Sequence, residues 1–379
     1  MRGGEEDFEI KSLQLKLFIY HIKDLIYCVN IESMFYKIIV KPILFRFNPE
    51  TVHNLFSKIG FFLGNYYLTR KIMWLFYGYK GKNISKVVDG IRYKTPVILS
   101  AGFDHNGYLT RILPSLGFGG VEVGSITARP YAGNSRPNLI RLPKTKALIV
   151  NKGLKNEGVE AVIKRLKETP REKDFVIGIS IAKTNDMKSV STAEAILDYC
   201  YSFKRLNEEN IGDYYTINIS CPNAFGGETF TAPELLNMLL GELGKTACQK
   251  PVYIKMPINL SWAATHELLE VIVSRKISGV IFGNLNKDYN YIEKTERPEK
   301  YIGGISGQPC FDLSNELTKK TSEKYGDKLT VIGCGGIFTP EDAMYKFEIG
   351  SQLIHMITGM IYSGPGIIKN ICKEYSKKY

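Results

Sequence analysis

The amino-acid sequence predicts an α/β protein: a (β/α)8 TIM barrel preceded by an N-terminal helical extension. From residue 96 onward, short apolar runs alternate with longer segments of helical periodicity. The short runs are apolar almost throughout, which is typical of parallel strands that are covered on both faces. The repeat covers roughly 280 residues, the length of such a barrel with a few insertions. An open doubly wound sheet is the alternative, but it predicts a glycine-rich fingerprint after the first strand, which is not found here.

The predicted elements follow one another in a regular order, after a small hairpin that turns at Asp89-Gly90. The strands are predicted at residues 96–101, 120–123, 175–181, 214–219, 252–255, 279–282, 330–333 and 353–357. The helices are predicted at residues 108–116, 159–168, 192–206, 233–243, 263–275, 312–325, 340–348 and 365–375. This arrangement divides the chain into an N-terminal helical region at residues 1–80 and a barrel at residues 81–379.

The N-terminal region has the apolar spacing of amphipathic helices. Residues 1–47 lack clear caps and predict only weak helices, whereas Asn48 and Pro49 suit a helix cap and the first helical position. Helical spacing of apolar residues then continues to Leu63, and a second short helix is predicted near residues 68–76. No apolar run is long enough to span a bilayer. These helices therefore either pack as a cap on the barrel or lie on a membrane surface.

The composition is that of a globular chain with a basic balance. Lys and Arg number 50 and Asp and Glu number 38, which gives a net charge of +12. A basic balance favours acidic partners, but the charge is spread along the chain without a basic block. The 7 cysteines are scattered, without a CxxC pair or a histidine at metal-ligand spacing, so neither a disulfide framework nor a metal site is predicted. Reduced thiols in a reducing compartment are the simplest interpretation.

Chemistry in a (β/α)8 barrel is expected at the carboxyl ends of the strands. The fourth predicted strand ends in Asn218-Ile219-Ser220-Cys221-Pro222-Asn223, followed by Gly226-Gly227-Glu228. Amides can hold a planar polar ligand through paired donors and acceptors, and a thiol can carry a proton. By itself this loop is equally compatible with a turn around an inert, packed cysteine. Lys255 ends the next strand, where an inward-pointing charge is seldom structural.

Glycines recur near the ends of the late strands. They occur in Gly303-Gly304-Ile305-Ser306-Gly307, in Gly335-Gly336 and at Gly359. Loops after the last strands of a barrel commonly bind phosphate through backbone N–H groups. Tight turns alone would also explain the glycines, but three such loops in one half of the barrel favour a phosphate-bearing cofactor.

Taken in the order in which they occur along the chain, the motifs resemble those of the dihydroorotate dehydrogenase family. Within that family, they are most similar to the membrane-associated, quinone-using class. The resemblance runs from about residue 45 to the C-terminus. The matching motifs are residues 45–53, Ala101-Gly102-Phe103-Asp104, a hairpin with Arg129-Pro130 and Arg136-Pro137, residues 218–223, residues 303–307, Gly335-Gly336-Ile337 and Gly364-Pro365. One of these would be weak evidence, whereas this many in register identify the family.

The resemblance implies an FMN-containing barrel that oxidises dihydroorotate to orotate in pyrimidine biosynthesis, with quinone as the electron acceptor. Hydride would pass from the substrate C6 to flavin N5, with Cys221 removing the C5 proton as general base and Lys255 stabilising the reduced flavin. The implied FMN contacts are Ala101, Gly102, Ser125, Ser180, Asn218, Lys255, Gly283, Gly307, Gly336, Ile357, Thr358 and Gly359. The implied substrate contacts are His105, Asn151, Asn218, Asn223 and Asn284, and the implied quinone contacts are His53 and Arg141.

The chain departs from the family pattern at several of these positions. The base in the quinone-using class is usually Ser, while a Cys such as Cys221 marks the soluble class; a thiol, with an ordinary pKa of about 8.5, is the better base near neutrality. The Lys expected after Gly-Phe-Asp, which would contact the carboxylate of orotate, is His105. The other departures are Ser180 for Asn, Leu285 for Thr, Ile357 for Tyr, and Asn151, which matches only after a shift of one position. The flavin side of the site therefore matches better than the substrate side.

Three functions are compatible with these observations. The leading hypothesis is dihydroorotate oxidation at a membrane surface reached through the N-terminal helices, on the inner membrane of the cell or, in a eukaryote, of the mitochondrion. A second is an RNA-modifying flavin enzyme similar to dihydrouridine synthase. Such enzymes carry a helical RNA-binding domain after the barrel, which this sequence does not show, so no nucleic-acid partner is predicted. A third is a divergent flavoprotein, non-catalytic or with another substrate, that serves as a scaffold in a membrane assembly.

Overall fold

The computed structural model describes residues 34–224 and 229–379. The predicted helices before residue 34 and the Gly226-Gly227-Glu228 motif lie outside the described residues. The described chain begins with a helical segment, in which a π-helical turn at Tyr36–Val40 leads into α1 (Lys41–Leu44).

Eight parallel strands close into a barrel, which confirms the predicted fold class. In order around the barrel they are β3 (Val97–Leu99), β4 (Gly120–Ile126), β7 (Val176–Ile181), β8 (Tyr214–Asn218), β9 (Val252–Met256), β10 (Gly279–Phe282), β12 (Thr330–Cys334) and β13 (Leu353–Met356). The pairing of β13 with β3 closes the ring. Nearly every residue of these strands is buried, because the barrel interior covers one face and the helices cover the other.

The helices that surround the barrel follow the strands closely. They are α4 (Val159–Glu168), α5 (Thr192–Glu208), α6 (Pro233–Leu243), α7 (Trp262–Ser274), α8 (Phe311–Tyr325), α9 (Pro340–Glu348), α10 (Thr358–Ser363) and α11 (Gly366–Lys378). Short 3-10 turns lie at Leu113–Leu116, Met187–Ser189, Thr229–Thr231, Tyr289–Tyr291, Lys294–Glu296 and Gln308–Cys310. All but α10 were predicted, and their bounds differ from the prediction by a few residues at most.

The helix predicted at residues 108–116 is wrong, because only the 3-10 turn at Leu113–Leu116 forms there. The Asp104 carboxylate accepts the backbone N–H groups of residues 107–109 at 2.8 to 2.9 Å. These local hydrogen bonds compete with a regular helix. Pro114 then lacks an N–H, and in a helix its ring would clash with the carbonyl four residues earlier. The first barrel strand is therefore followed by an irregular segment.

The amino end of the barrel is closed by the predicted hairpin, which forms as β1 (Lys86–Val88) and β2 (Ile91–Tyr93). Its apolar residues Val88 and Tyr93 pack on inward-facing residues of the strands: Ile98, Val176, Tyr214, Tyr253, Ile281, Ile332 and Leu353. The turn residue Asp89 accepts hydrogen bonds from the hydroxyls of Tyr253 at 2.5 Å and Thr330 at 3.1 Å. An apolar layer thus seals this end, and the open end is the carboxyl end of the strands.

A second, antiparallel sheet lies over the open end and was not predicted. It consists of β5 (Leu139–Leu142), β6 (Ala147–Val150) and β11 (Gly304–Gly307), with β6 in the centre. The segment 303–307, predicted as a glycine loop, is therefore mostly an edge strand. The hairpin predicted from the family resemblance at residues 129–137 does not form, because no two residues of this range pair with each other. Tyr131 instead makes an isolated bridge to Asn156.

Two helices precede the barrel, α2 (Pro49–Asn65) and α3 (Tyr67–Tyr77). The predicted cap is confirmed, since Asn48 Oδ1 accepts the backbone N–H groups of Glu50 and Thr51 at 2.9 and 3.2 Å. The helix α3 packs on α11 and on the turn that follows β3. Across residues 34–224 and 229–379, no helix combines the length and the apolarity needed to cross a bilayer.

Candidate active site

Two adjoining cavities occupy the carboxyl end of the barrel. One contains Cys221 and is called the thiol cavity here; the other contains the late-strand glycines and is called the glycine cavity. Their common lining residues are Ala101, Lys255, Asn284, Leu285, Ser306, Ile357 and Thr358. Because they share these residues, the two cavities form one elongated cleft over the barrel axis.

Most of the predicted site residues meet in this cleft. Those on the thiol cavity are His53, Ala101, Gly102, His105, Ser125, Asn218, Cys221, Asn223, Lys255, Asn284, Ile357 and Thr358. Those on the glycine cavity alone are Gly283, Gly307, Gly336 and Gly359. The structure does not bring Ser180, Asn151 or Arg141 to the lining of either cavity, although each contacts a residue or segment beside them.

A chain of hydrogen bonds fixes the amides at the end of β8. Asn218 donates from Nδ2 to Ser125 Oγ at 2.8 Å, and Ser125 Oγ lies 2.7 Å from Ser180 Oγ. Asn284 donates from Nδ2 to Ser220 Oγ at 2.7 Å and to Asn218 Oδ1 at 3.3 Å. A bulge in β4 precedes Ile126 and turns Ser125 toward these groups. Ser180 therefore supports the site from behind Ser125.

The other amide of the loop, Asn223, is held by the antiparallel sheet. Its Nδ2 donates to Val150 O at 2.7 Å, and its Oδ1 accepts from the N–H of Gly304 at 3.3 Å. Its own carbonyl accepts from Asn134 Nδ2 at 3.0 Å, and the same Nδ2 donates to Asn151 Oδ1 at 2.9 Å. In this geometry Asn151 supports the loop through Asn134, and its role as a substrate contact stays a prediction.

Cys221 projects into the thiol cavity from the same loop and is half-buried. The ammonium of Lys183 lies within electrostatic reach of the sulfur. Burial lowers the pKa of Lys183, while nearby negative groups, the Cys221 thiolate among them, act in the opposite direction. A neighbouring cation favours the thiolate over the thiol. The thiolate is the form that can accept a proton.

Lys255 lies where the two cavities meet and is tied to a charged layer inside the barrel. Its Nζ donates to Ser100 Oγ at 3.1 Å and lies 3.7 Å from Glu122 Oε2. His355 Nδ1 lies 3.0 Å from the same oxygen. Burial alone would raise the pKa of Glu122, but Lys255 and His355 lower it to about 2. The carboxylate therefore stays charged and balances Lys255. We did not predict Glu122 or His355, although polar residues inside apolar strands were a visible signal.

The two predicted quinone contacts lie where the N-terminal helices meet the barrel. His53, on α2, lines the thiol cavity with its ring edge-on to His105, the centroids 5.6 Å apart. Burial lowers the pKa of His53 to about 3, so the ring is neutral near pH 7. Arg141 donates to Phe47 O at 2.6 Å and stacks on the Phe45 ring at 4.7 Å. Arg141 therefore anchors the segment that leads into α2.

The glycine cavity has walls of backbone. A Cβ on Gly336, whose φ is +74°, would lie 2.4 Å from Phe311 Cβ, and one on Gly359 would lie 1.6 Å from Ile337 O. Close packing of the loops thus requires glycine, and it leaves peptide groups facing the cavity. Within the described chain, the N–H of Gly336 donates no hydrogen bond to a protein group. Such a wall suits an anionic group that accepts backbone hydrogen bonds.

Comparison with known proteins identifies the family. A family model described as dihydroorotate dehydrogenase matches residues 84–378. The chain is 36% identical over 352 residues to dihydroorotate dehydrogenase (quinone) of Christiangramia forsetii, covering 90% of this chain and 99% of that one. The chain belongs to the dihydroorotate dehydrogenase family. It is an oxidoreductase of the type found in these relatives, which confirms the resemblance inferred from the motifs.

Other dihydroorotate dehydrogenases are similar over comparable lengths. The enzyme named dihydroorotate dehydrogenase (quinone) in Synechococcus sp. strain JA-3-3Ab is 32% identical over 361 residues, covering 89% of this chain and 91% of that one. The crystal structure of DHODH from Eimeria tenella in complex with ferulenol aligns with a TM-score of 0.70 at 26% identity. That alignment covers 81% of this chain and 89% of the crystallised one.

Lys152 is a further residue of the cavity that the sequence analysis missed. It lies two residues after the end of β6 and lines the thiol cavity, with its Nζ 3.4 Å from His105 Nε2. Burial lowers the pKa of Lys152 to about 7. One signal was available, because Lys152 comes soon after the short apolar run 147–150, much as Lys255 lies near the end of β9.

Proposed function

We propose that this chain oxidises dihydroorotate to orotate, with FMN as the resident cofactor, quinone as the electron acceptor and Cys221 as the general base. The names of the relatives support the substrate and the acceptor. One observation carries the proposal for the site itself: the Cys221 thiol and three amides, those of Asn218, Asn223 and Asn284, line one cavity with Lys255 at its inner end.

The residues of the cleft fit FMN. The backbone wall of the glycine cavity, with Gly307, Gly336 and Gly359, suits the phosphate, and the hydroxyls of Ser306 and Thr358, 2.9 Å apart, lie beside it. The remaining contacts would come from Ala101, Gly102, Ser125, Asn218, Gly283 and Ile357, with Ser180 behind Ser125. Lys255 supplies positive charge where the two cavities meet. When bound, FMN accepts the hydride that leaves C6 of the dihydropyrimidine.

The amides orient the substrate ring, and the thiolate removes a proton. The hydrogen bonds described above hold Asn218, Asn223 and Asn284 in place. The NH2 groups of Asn218 and Asn223 each have a second N–H that can donate to a ligand, whereas both N–H groups of Asn284 are already used within the protein. Cys221 then takes the proton from C5 as the hydride leaves C6, so that the C5–C6 bond becomes double. Lys183 favours the thiolate that begins this step. Preorganised groups of this kind need little rearrangement during the reaction.

An anaerobic flavin-reduction experiment tests this assignment. Dihydroorotate added to the FMN-loaded protein should bleach the flavin absorbance, and Cys221→Ala should slow this step by about 10²- to 10⁴-fold, the usual contribution of a general base. Cys221→Ser, with a hydroxyl in the same place, should retain more activity at high pH. If dihydroorotate fails to bleach the flavin of the FMN-loaded protein, dihydroorotate is not the substrate, and the scaffold hypothesis is favoured. Bleaching of the flavin at the normal rate in Cys221→Ala would rule out Cys221 as the general base.

We further propose that the N-terminal helices rest on a membrane and admit quinone toward the cleft. The proposed location is the inner membrane of the cell, or of the mitochondrion in a eukaryote. Large apolar side chains are exposed on both helices: Leu55, Phe56, Ile59, Phe61 and Phe62 on α2, and Tyr67, Leu68, Ile72, Trp74, Leu75 and Phe76 on α3. So many exposed apolar side chains on two successive helices favour a membrane or protein interface. The same helix α2 reaches the thiol cavity through His53.

A pair of matched substitutions tests the membrane proposal. Leu68 on α3 is 66% exposed and Leu197 on α5, beside the barrel, is 68% exposed. Leu68→Glu should reduce co-sedimentation with phospholipid vesicles and lower turnover with a vesicle-borne quinone, because it places a charge in the contact surface. Leu197→Glu should change neither. Equal vesicle binding by both variants would contradict the proposal, whereas dihydroorotate-driven flavin reduction should be normal in both.

A further inference from the structure

A basic cluster in the thiol cavity takes no part in the proton and hydride transfers proposed above. It consists of Lys152, Lys155, His53 and His105, which line the cavity together with the Cys221 thiol. The closest contact in it is the 3.4 Å separation of Lys152 Nζ from His105 Nε2. An ammonium group that is buried beside another basic side chain needs an opposite charge to offset its burial.

The protein itself supplies little negative charge to this cluster. In the described part of the chain, no carboxylate lies within ion-pair distance of Lys152, and Glu50 acts on it only from farther away. The carboxylate of Glu50 is instead near Arg136 Nε at 3.4 Å and Lys155 Nζ at 4.0 Å. A lysine in this setting carries a desolvation penalty that a bound anion would offset.

The charge of the cluster resides on the lysines. Burial lowers the pKa of His105 well below its ordinary value, and the same is true of His53, so both rings are neutral near pH 7. A neutral His105 can accept a hydrogen bond from Lys152 through Nε2, with its own proton on Nδ1. His105, which follows the Gly-Phe-Asp motif, therefore provides no positive charge. The positive charge comes from Lys152, in the loop after β6.

We propose that Lys152 binds the carboxylate of the substrate and selects for carboxylated pyrimidines, with neutral His105 holding the ammonium in position. This inference rests on the proposed function, because the ligand is the dihydroorotate that Cys221 would deprotonate. An ammonium–carboxylate contact in a partly desolvated site is worth about 1.5–3 kcal/mol, which corresponds to roughly 10- to 150-fold in affinity. The same ring without a carboxylate gains nothing from Lys152.

Orotate and uracil are the probes, because they share the pyrimidine ring and differ in the carboxylate. Their dissociation constants are measured on the oxidised, FMN-loaded protein from the change in flavin absorbance. Lys152→Met should weaken orotate binding by about 10- to 150-fold and leave uracil binding unchanged. Lys152→Arg should restore much of the orotate affinity. Lys250→Met is the control, since Lys250 is another part-buried lysine but lies at the amino end of the barrel, bonded to Tyr215 and Ile211.

The pH dependence provides a second readout. Only protonated Lys152 attracts the carboxylate, and its pKa without ligand is lowered to about 7. The groups that face it are His105, His53, Lys155, the more distant Glu50 and the Cys221 thiol. Orotate affinity should therefore fall by up to tenfold for each pH unit above about 7 in the unmodified protein, and this slope should be absent in Lys152→Met.

The outcomes separate this inference from the proposed function. Unchanged orotate affinity in Lys152→Met, or an equal loss for orotate and uracil, overturns the role of Lys152 while leaving dihydroorotate oxidation in place. Failure of the unmodified FMN-loaded protein to bind orotate overturns the proposed function instead. If Lys152→Met does not retain FMN, Lys152→Gln, which keeps a polar end group, replaces it in the same comparison.

Discussion

Replacing Glu122 by Gln tests the charge balance inside the barrel. The carboxylate is fully buried at 0% exposure, and the substitution removes its charge with little change in shape. Two unit charges 3.7 Å apart, as in Glu122 and Lys255, attract by about 4.5 kcal/mol at an effective dielectric constant of about 20. The fall in the pKa of Glu122 from 4.5 to about 2 corresponds to about 3 kcal/mol. We therefore expect Glu122→Gln to lower the free energy of unfolding by about 3–4 kcal/mol at pH 7.

The sign of the pH dependence follows from the direction of this shift. A carboxyl group whose pKa is lower in the folded state stabilises the fold above its unfolded value and loses that effect as pH falls toward the folded value. The difference between the unmodified protein and Glu122→Gln should be constant from pH 6 to pH 8. It should shrink as pH falls from 4.5 toward 2, the range set by the two pKa values.

The assay is urea denaturation followed by circular dichroism, with the FMN content of every variant measured, because a bound cofactor adds to stability. Lys255→Met and the double variant complete a mutant cycle. The double variant should lose about 3 kcal/mol less than the sum of the single variants, since it leaves no unpaired charge from this ion pair in the barrel. Glu348→Gln, which breaks an exposed ion pair with Lys378, should cost less than about 1 kcal/mol. Additive single effects, or equal losses in Glu122→Gln and Glu348→Gln, would refute the reasoning.

Four further substitutions each test one local feature of the structure. Ser125→Ala leaves the buried hydroxyl of Ser180 without this partner and should lower the free energy of unfolding by about 1–3 kcal/mol in urea denaturation, so an unchanged midpoint would contradict it. Gly336→Ala combines a φ of +74° with a Cβ 2.4 Å from a neighbouring Cβ, and should cost about 2–4 kcal/mol and lower the FMN content. Gly90→Ala, with a φ of +78° and open space around it, should cost only the backbone strain of about 1–2 kcal/mol. Asn48→Ala should destabilise the start of α2 by about 1 kcal/mol, seen as faster amide exchange there and not in the barrel.

Local sequence patterns predicted most of the barrel. The helices α4, α6 and α9 have the predicted bounds, and each strand of the barrel coincides with a predicted apolar run. These elements bury a continuous apolar face, so their periodicity is visible in the sequence. The errors have local and long-range causes. Asp104 and Pro114 prevent the helix predicted after β3, through side-chain contacts that a periodicity argument does not include.

The second sheet shows the long-range cause. The strand β11 is an edge strand with three glycine and serine residues among its four, and only its pairing with β6 makes it a strand. Nothing in the residues 303–307 alone distinguishes this from a loop. In the site, the amides after β8 were predicted because they sit at a strand end. Their orientation depends on Ser125 and on the sheet residue Gly304, which are distant in the sequence.

By itself, the sequence predicted the barrel and the end at which its chemistry lies. The alternating apolar strands and amphipathic helices indicate a parallel sheet covered on both faces, and the glycine-rich fingerprint of the open-sheet alternative is not found. It also determined that a thiol and several amides meet at that end. Only the tertiary structure decided which charges accompany them. Glu122 balances Lys255 inside the barrel, and Lys152 approaches His105 from another loop. Electrostatic interactions depend on distance and burial, and a sequence specifies neither until the chain is folded.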